Sequence, residues 1–193
     1  RSAKELPESQ VNEILAQVQL EEVRSAGERR DVPAANEAWS NLPRATRKLP
    51  QAIATYARAL VTAGEAVAAE KLLREAIDDL LEPMLVRLYG ELVLPDALTP
   101  LDRAESWLRK TPEDPELLAA CARLALQAEL IGKARSYLEA SLARRSSAEN
   151  SLLYAELLDQ LGEGDRARTV LRDSVARSVG RRPALPRVRL RRR

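Results

Sequence analysis

The side chains that this chain lacks already limit the chemistry it can do. Its 193 residues include no histidine, one cysteine (Cys121) and one methionine (Met84). Without histidine, Ser–His–Asp and Cys–His catalysis are excluded, and so is the common side-chain ligand of zinc and haem. The seven glycines are scattered along the chain and form no phosphate-binding loop. We therefore expect no enzyme activity, no catalytic residue and no metal site.

An axial haem ligand would have to be a thiol, a thioether or a phenol. Cys121 lies in the apolar run LLAACARLAL, which predicts a small core residue rather than a reactive thiol. Three tyrosines fall at the same inner position of three predicted helices, where core packing explains them. We expect no cofactor, and haem or porphyrin binding is kept as a minor alternative. The tyrosines are Tyr56, Tyr89, Tyr137 and Tyr154, of which Tyr137 is outside that set of three.

Charged side chains are better candidates for function. Arg58, Arg87 and Arg123 fall at equivalent or neighbouring places of successive helices. A basic stripe of this kind could receive acidic peptides, a helix end or propionate-like carboxylates. The alternative is ordinary surface charge with glutamate partners in the same chain. A second basic patch lies in a polar connector and consists of Arg44, Arg47 and Lys48.

A ladder of alanines predicts the elements that position these side chains. Its rungs recur near the period of about 34 residues that is typical of the tetratricopeptide repeat (TPR), a helix–turn–helix unit whose copies stack. A large apolar residue stands four places after each rung. The small residue lets two helices approach closely, and the large residue one turn later fills the groove beside it. The rungs and their apolar companions are Ala35, Ala69, Ala104, Ala134 and Ala167, with Trp39, Leu73, Leu108, Leu138 and Leu171.

Caps and breakers place helix boundaries in agreement with that period. Gly64 is suited to end a first helix, because glycine tolerates a left-handed backbone. Asp114 followed by Pro115 is a typical helix start. Ser146 and Glu149 form a capping-box pattern for the last first helix. Local and periodic signals therefore agree on one architecture.

We predict an all-α, right-handed superhelical TPR solenoid of about five helical hairpins over residues 1–180, followed by a basic tail over 181–193. The tail holds seven arginines and no acid, although the whole chain has a net charge of only +2. Such a tail is typical of a disordered end or an interaction segment. Because no apolar stretch approaches the length of a bilayer, we expect no spanning helix in this sequence.

The first helices of stacked hairpins line the concave face of the superhelix. Helical geometry then selects the side chains that lie next to the buried positions on these helices. We expect partner proteins to bind there, and we expect no specific nucleic-acid binding. The predicted partner-binding residues are Gln51, Arg58, Arg87, Glu91, Arg123, Gln127, Glu156 and Asp159.

Two segments resemble the HemY family. The first is ANEAWSNLPRATRKLPQAIATYARALVTAGEAVAAEKLLREAI, in which Trp39, Asn41, Arg44, Thr46 and Arg47 precede a helix pair. It is similar to the C-terminal half of HemY proteins. The second, PEDPELLAACARLALQAELIGKARSYLEASL followed by LLYAELLDQLGEGDRA, is similar to the closing repeats of that family.

HemY proteins are proteobacterial inner-membrane TPR proteins linked to a late step of haem biosynthesis. The resemblance implies a non-catalytic scaffold whose partners are haem-pathway enzymes, or which handles porphyrin. It also implies association with the bacterial inner membrane through an anchor before Arg1, on a side that stays open. The alternative function is a TPR adaptor of envelope or lipopolysaccharide assembly unrelated to haem.

Overall fold

A computed structural model describes residues 8–179 of the chain, and the basic tail over 181–193 lies outside the described residues. Within the described range every regular element is helical, as the sequence predicts. None of the described helices combines the length and apolarity needed to cross a bilayer. The helices are α1 (Glu8–Glu28), α2 (Val32–Asn41), a 3-10 turn (Thr46–Lys48), α3 (Pro50–Ala63), α4 (Ala66–Asp79), α5 (Pro83–Glu91), α6 (Leu98–Leu108), α7 (Pro115–Gln127), α8 (Ile131–Arg144), α9 (Ala148–Gln160) and α10 (Gly164–Ser178).

Consecutive helices form five hairpins, and four of them pack closely within the pair: α1 with α2, α3 with α4, α7 with α8, and α9 with α10. The third pair differs, because α6 packs mainly on α7. The rings of Tyr89 on α5 and Trp107 on α6 lie edge to face between these helices, with centroids 4.9 Å apart. The sequence also sets this hairpin apart. The spacing between successive rung alanines is longest just before Ala104 and shortest just after it.

Most of the predicted boundaries are confirmed. Gly64 ends α3 with a φ of +95°, and the Asp114 carboxylate accepts hydrogen bonds from the first turn of α7. The capping box is one residue off, because α9 begins at Ala148 and the Ser147 hydroxyl accepts from the N–H of Asn150. The cap of a helix must directly precede its first residue.

The loop between α5 and α6 is the least accurate part of the prediction. The sequence pattern predicts a first helix over 84–94, but this helix ends at Glu91, and Leu92 adopts an extended backbone. The pattern also predicts a second helix over 101–110, but this helix begins at Leu98. The Asp96 carboxylate accepts from the N–H of Leu98 at 2.9 Å and so satisfies a donor of the new first turn.

The alanine rungs are all buried, as the ladder predicts. Their large companions Leu73 and Leu138 are fully buried as well, whereas Leu171 on α10 is 37% exposed. The difference arises because each companion is covered by the following hairpin, and none follows α10 among the described residues. The companions therefore mark the stacking interfaces between hairpins. The rung Ala167 is only 1% exposed although no hairpin follows it among the described residues.

The N-terminal part of α1 is much less buried than its apolar pattern suggests. Val11, Ile14, Leu15 and Val18 are all exposed, and burial begins at Val23. The reason is the length of its partner, since α2 has 10 residues and α1 has 21. The partner helix is therefore too short to cover the whole length of α1.

An inner row of buried or half-buried side chains runs through all five first helices. It has one member per hairpin, at a nearly constant spacing of one repeat. Each tyrosine in the row donates its hydroxyl to a side chain on the second helix of the preceding hairpin. These bonds fix the register of one hairpin on the next. The inner row is Val23, Tyr56, Tyr89, Cys121 and Tyr154.

Candidate functional site

Equivalent positions of the first helices alternate in charge, so Arg58, Arg87 and Arg123 do not follow one another in a single row. Two places after each of the last four members of the inner row stand Arg58, Glu91, Arg123 and Glu156. We call these four residues the charged row. Arg87 belongs to a different register, two places before Tyr89. The charge of the row therefore alternates between positive and negative along the first helices α3, α5, α7 and α9.

Arg87 is used inside the protein rather than presented to a partner. Its Nη2 lies 3.0 Å from Oε1 of Glu116, which is only 5% exposed in the first turn of α7. Arg145, at the end of α8, also pairs with Glu116. Three elements of the third and fourth hairpins are thus joined at one buried carboxylate. For Arg87 the alternative interpretation, an internal glutamate partner, is the one found.

Arg123 is also engaged within the chain. It pairs with Glu149, its Nη2 donates to Oδ1 of Asn150 at 3.0 Å, and its side chain is only 12% exposed. Asn150 in turn donates to the Ser141 hydroxyl, which donates to the carbonyl of Pro115 at 2.8 Å. This network joins the fourth and fifth hairpins.

Arg58 and Glu91 behave differently from Arg87 and Arg123. Both are exposed, and neither forms an ion pair within residues 10–179. They lie at the rim of a groove of about 280 Å³ between the C-terminal parts of α3 and α5. We call this the α3–α5 groove, and its apolar lining is Ala57, Val61, Leu73, Leu88 and Leu92.

Glycine explains why first helices touch at two other junctions, α1 with α3 and α5 with α7. A Cβ on Gly27 of α1 would lie 2.6 Å from the Cα of Ala59 on α3. A Cβ on Gly90 of α5 would lie 2.7 Å from the Cα of Ala120 on α7. Both distances are far below van der Waals contact. These two pairs of helices therefore approach closely only because one partner has no side chain.

Leucines occupy three of the four corresponding positions at the groove, and the fourth, equivalent to Gly90, is Ala57. Leu92 follows Ala59 by one repeat, and Leu88 precedes Ala120 by one repeat. On α3, the residue equivalent to Gly27 is Leu60. Bulky side chains hold α3 and α5 apart, and these helices pack much less closely than α1 on α3 or α5 on α7. The α3–α5 groove is the space that results.

The other predicted face residues are not gathered at the groove. Gln51 lies in the first turn of α3, and Glu156 and Asp159 are exposed on α9. Gln127 on α7 is half-buried, and its buried Oε1 has no hydrogen-bond partner among the described residues. The structure therefore brings Arg58 and Glu91 together at the groove. The other predicted partner-binding residues are spread along the first helices.

The second basic patch lies at the opposite end of α3. Arg44 and Lys48 are exposed, whereas Arg47 is half-buried, and its Nε has no hydrogen-bond partner in the described part of the chain. These residues flank or form the 3-10 turn that leads into Pro50. The patch and the α3–α5 groove are separate surfaces.

Sequence reasoning missed Glu116 and the leucines that form the groove. Glu116 has the pattern of an ordinary acidic first-turn residue, because its two arginine partners stand about one repeat before it and one repeat after it. Gly27 and Gly90 carried a signal that was available, since a glycine inside a helical pattern indicates close approach of another backbone.

Two of the candidate haem ligands are fully buried in the core. Cys121 is fully buried, and that burial raises its pKa to about 12. Tyr89 is fully buried too, and burial followed by its hydrogen bond to Glu70 raises the pKa of the phenol. No cluster of three or more metal-ligating side chains occurs within residues 10–179.

Comparison with known proteins bears on the fold alone. No family model matches the chain, and no curated protein matches it. Two similar solved structures are of MamA, a TPR-like solenoid protein. The MamA structure from Desulfovibrio magneticus RS-1 (residue 41 to the end) is 12% identical with a TM-score of 0.54, over 86% of this chain and 97% of that chain. A second MamA crystal structure is 9% identical with a TM-score of 0.52, over 89% and 98%. The chain is therefore an all-α, TPR-like solenoid.

Proposed function

We propose that this chain is a non-catalytic protein-interaction scaffold that binds its partners on the face of the first helices. The observation that carries the proposal is a difference within the charged row, whose members are not all engaged inside the protein. Arg123 joins two hairpins, whereas Arg58 and Glu91 are exposed beside an apolar groove. An exposed apolar groove rimmed by charges is typical of a protein-binding surface.

The finer proposal follows the resemblance to HemY. On that interpretation the chain is the repeat region of a HemY-like protein of the bacterial inner membrane, and its partners are enzymes of a late step of haem biosynthesis. The buried cysteine and tyrosines favour binding of enzymes over direct ligation of haem iron. The TPR-like fold supports the scaffold role, because stacked hairpins offer an extended binding surface.

A binding experiment with purified proteins tests both levels. The chain is immobilised, and the enzymes of the last haem-biosynthetic steps are passed over it one at a time by surface plasmon resonance. We expect saturable binding of at least one enzyme, weakened by Arg58→Glu and unchanged by Arg172→Glu, an exposed substitution on α10. Purified envelope and lipopolysaccharide-assembly proteins are tested in parallel.

The outcomes separate the alternatives. Binding of envelope-assembly proteins alone would replace the haem assignment by the adaptor interpretation. Equal loss of binding in Arg58→Glu and Arg172→Glu would indicate bulk charge rather than a defined face. Absence of binding to every protein tested would contradict the scaffold proposal for these partner classes.

A further inference from the structure

The α3–α5 groove has a defined shape and a defined charge pattern. Its floor is formed by the buried side chains Leu73, Leu88 and Leu92, and Val61 lines one edge with 43% of its surface exposed. Its volume of about 280 Å³ is at the lower end of the roughly 300–1,000 Å³ of small-molecule pockets. A cavity of about 150 Å³ already holds benzene. The groove therefore fits one large apolar side chain.

The charges on the two rims have opposite sign. Arg58 stands on α3 and Glu91 at the equivalent position of α5, one repeat later. Neither charge is matched by an ion pair in the part of the chain that the structure describes. An occupant of complementary charge would carry an acid next to α3 and a base next to α5.

An extended segment matches the spacing that packed helices give to these features. Packed helix axes lie about 8–10 Å apart, and more where bulky side chains intervene. An extended chain rises about 3.3 Å per residue, so residues i and i+4 are about 13 Å apart. Residues i, i+2 and i+4 of such a chain point to the same side. An acid, an apolar residue and a base at these three places match Arg58, the groove and Glu91.

We propose that the α3–α5 groove binds an extended segment of a partner protein with the pattern acid–x–large apolar–x–base. The large apolar side chain is leucine, methionine or phenylalanine and enters the groove. The acid pairs with Arg58 and the base with Glu91. This inference rests on the proposed scaffold function and names the chemistry of the partner segment at that surface.

A panel of synthetic peptides tests the pattern by methyl NMR titration of the full chain labelled on leucine and valine. The peptides contain Glu-Thr-Leu-Thr-Lys, Lys-Thr-Leu-Thr-Lys, Glu-Thr-Leu-Thr-Glu or Glu-Thr-Ala-Thr-Lys. We expect the first to bind best, with shifts at the methyl groups of Val61, Leu88 and Leu92. Replacing its leucine by alanine should weaken binding at least about tenfold, because the buried methyl groups are lost.

Charge-reversal variants make the test specific. Arg58→Glu should prefer the peptide with two lysines, and Glu91→Arg should prefer the peptide with two glutamates. Val61→Arg, which places a charge in the groove, should abolish binding of all four. Arg172→Glu on α10 is the matched control and should leave every affinity unchanged. Thermal melts of all variants check that each one is folded.

Two results would overturn the inference. One is peptide preference that does not change between wild type, Arg58→Glu and Glu91→Arg. The other is binding whose methyl shifts lie away from the groove and survive Val61→Arg. Either result, together with capture of a purified haem enzyme, would leave the scaffold proposal standing and move its surface elsewhere. The expected peptide switch without any haem enzyme bound would confirm the groove and contradict the haem assignment.

Discussion

The junction between α1 and α3 and the junction between α3 and α5 are built from the same repeat but differ in closeness. At the first, Gly27 meets Ala59 and the two backbones touch. At the second, Leu60 and Leu92 occupy the corresponding places and a groove opens. The close and the open junction therefore differ in side-chain size at the register of Gly27 and Ala59. A regular repeat can therefore carry an irregular binding surface.

Polar groups tie the second helices at the open junction. They do so at the closed junction of α5 with α7 as well, where Lys133 and Tyr137 on α8 donate to Glu105 on α6. Asp78 on α4 accepts a hydrogen bond from Nε1 of Trp107 on α6 at 2.8 Å and pairs with Arg103. The groove on one side is thus compatible with a firm attachment on the other.

Adding a methyl group at a closed junction should give the largest effect. We expect Gly90→Ala to lower the free energy of unfolding by about 1–3 kcal/mol, because its Cβ would overlap the backbone of Ala120. Thermal or urea denaturation measures the change. Gly132→Ala is the control, since its Cβ would meet nothing within 4 Å. A Gly90→Ala protein as stable as the control would contradict close packing of α5 on α7.

Removing the charge that joins the third and fourth hairpins should have an intermediate effect. We expect Glu116→Gln to cost about 1–2 kcal/mol, because two charge-assisted contacts weaken while the arginines remain half-exposed and can be hydrated. Chemical denaturation checks this value. Glu113→Gln is a suitable comparison, because Glu113 stands just before α7 and also pairs with an arginine, Arg144, but its side chain is 77% exposed. Equal losses for both variants would show that burial of Glu116 is unimportant.

Acidification should loosen the open junction. Burial raises the pKa of Asp78, but the hydrogen bonds from Trp107 and Arg103 outweigh it and leave the pKa below its ordinary value. A carboxyl with a lowered pKa stabilises the fold above its ordinary pKa of about 4, and this contribution is lost as the pH falls through the folded-state value. Melting temperatures measured from about pH 6 down to about pH 3 should fall more steeply in wild type than in Asp78→Asn. If the melting temperatures of wild type and Asp78→Asn fell in parallel with pH, Asp78 would not contribute to the acid sensitivity.

Changes at the rim of the groove should have the smallest effect on stability. We expect Arg58→Ala and Glu91→Ala each to stay within about 0.5 kcal/mol of wild type, as is usual for exposed side chains. Denaturation curves measure this directly. Arg123→Ala is the contrasting variant, because its guanidinium is largely buried and bonded. A large loss in Arg58→Ala would assign that residue to hairpin packing instead of binding.

The fold was largely predictable because its signals are local and periodic. The alanine rungs, Gly64 and Asp114 each act within one turn or one repeat, so their positions survive without knowledge of the tertiary structure. The site was less predictable. Arg87 and Arg123 find their acidic partners in the next hairpin, and a sequence gives no direct sign of which glutamate lies opposite. The groove depends on how far apart two helices lie, which is set by several side chains together.

The single thiol in the inner row can report local opening of the repeat stack. Cys121 stands where three other hairpins have a tyrosine, and it is fully buried with a pKa raised to about 12. An alkylating reagent needs the exposed thiolate, so native protein should resist modification at neutral pH. Labelling would then proceed only through transient separation of the fourth hairpin from its neighbours. The rate of thiol exchange therefore reports the opening free energy of one junction, without a probe having to be introduced.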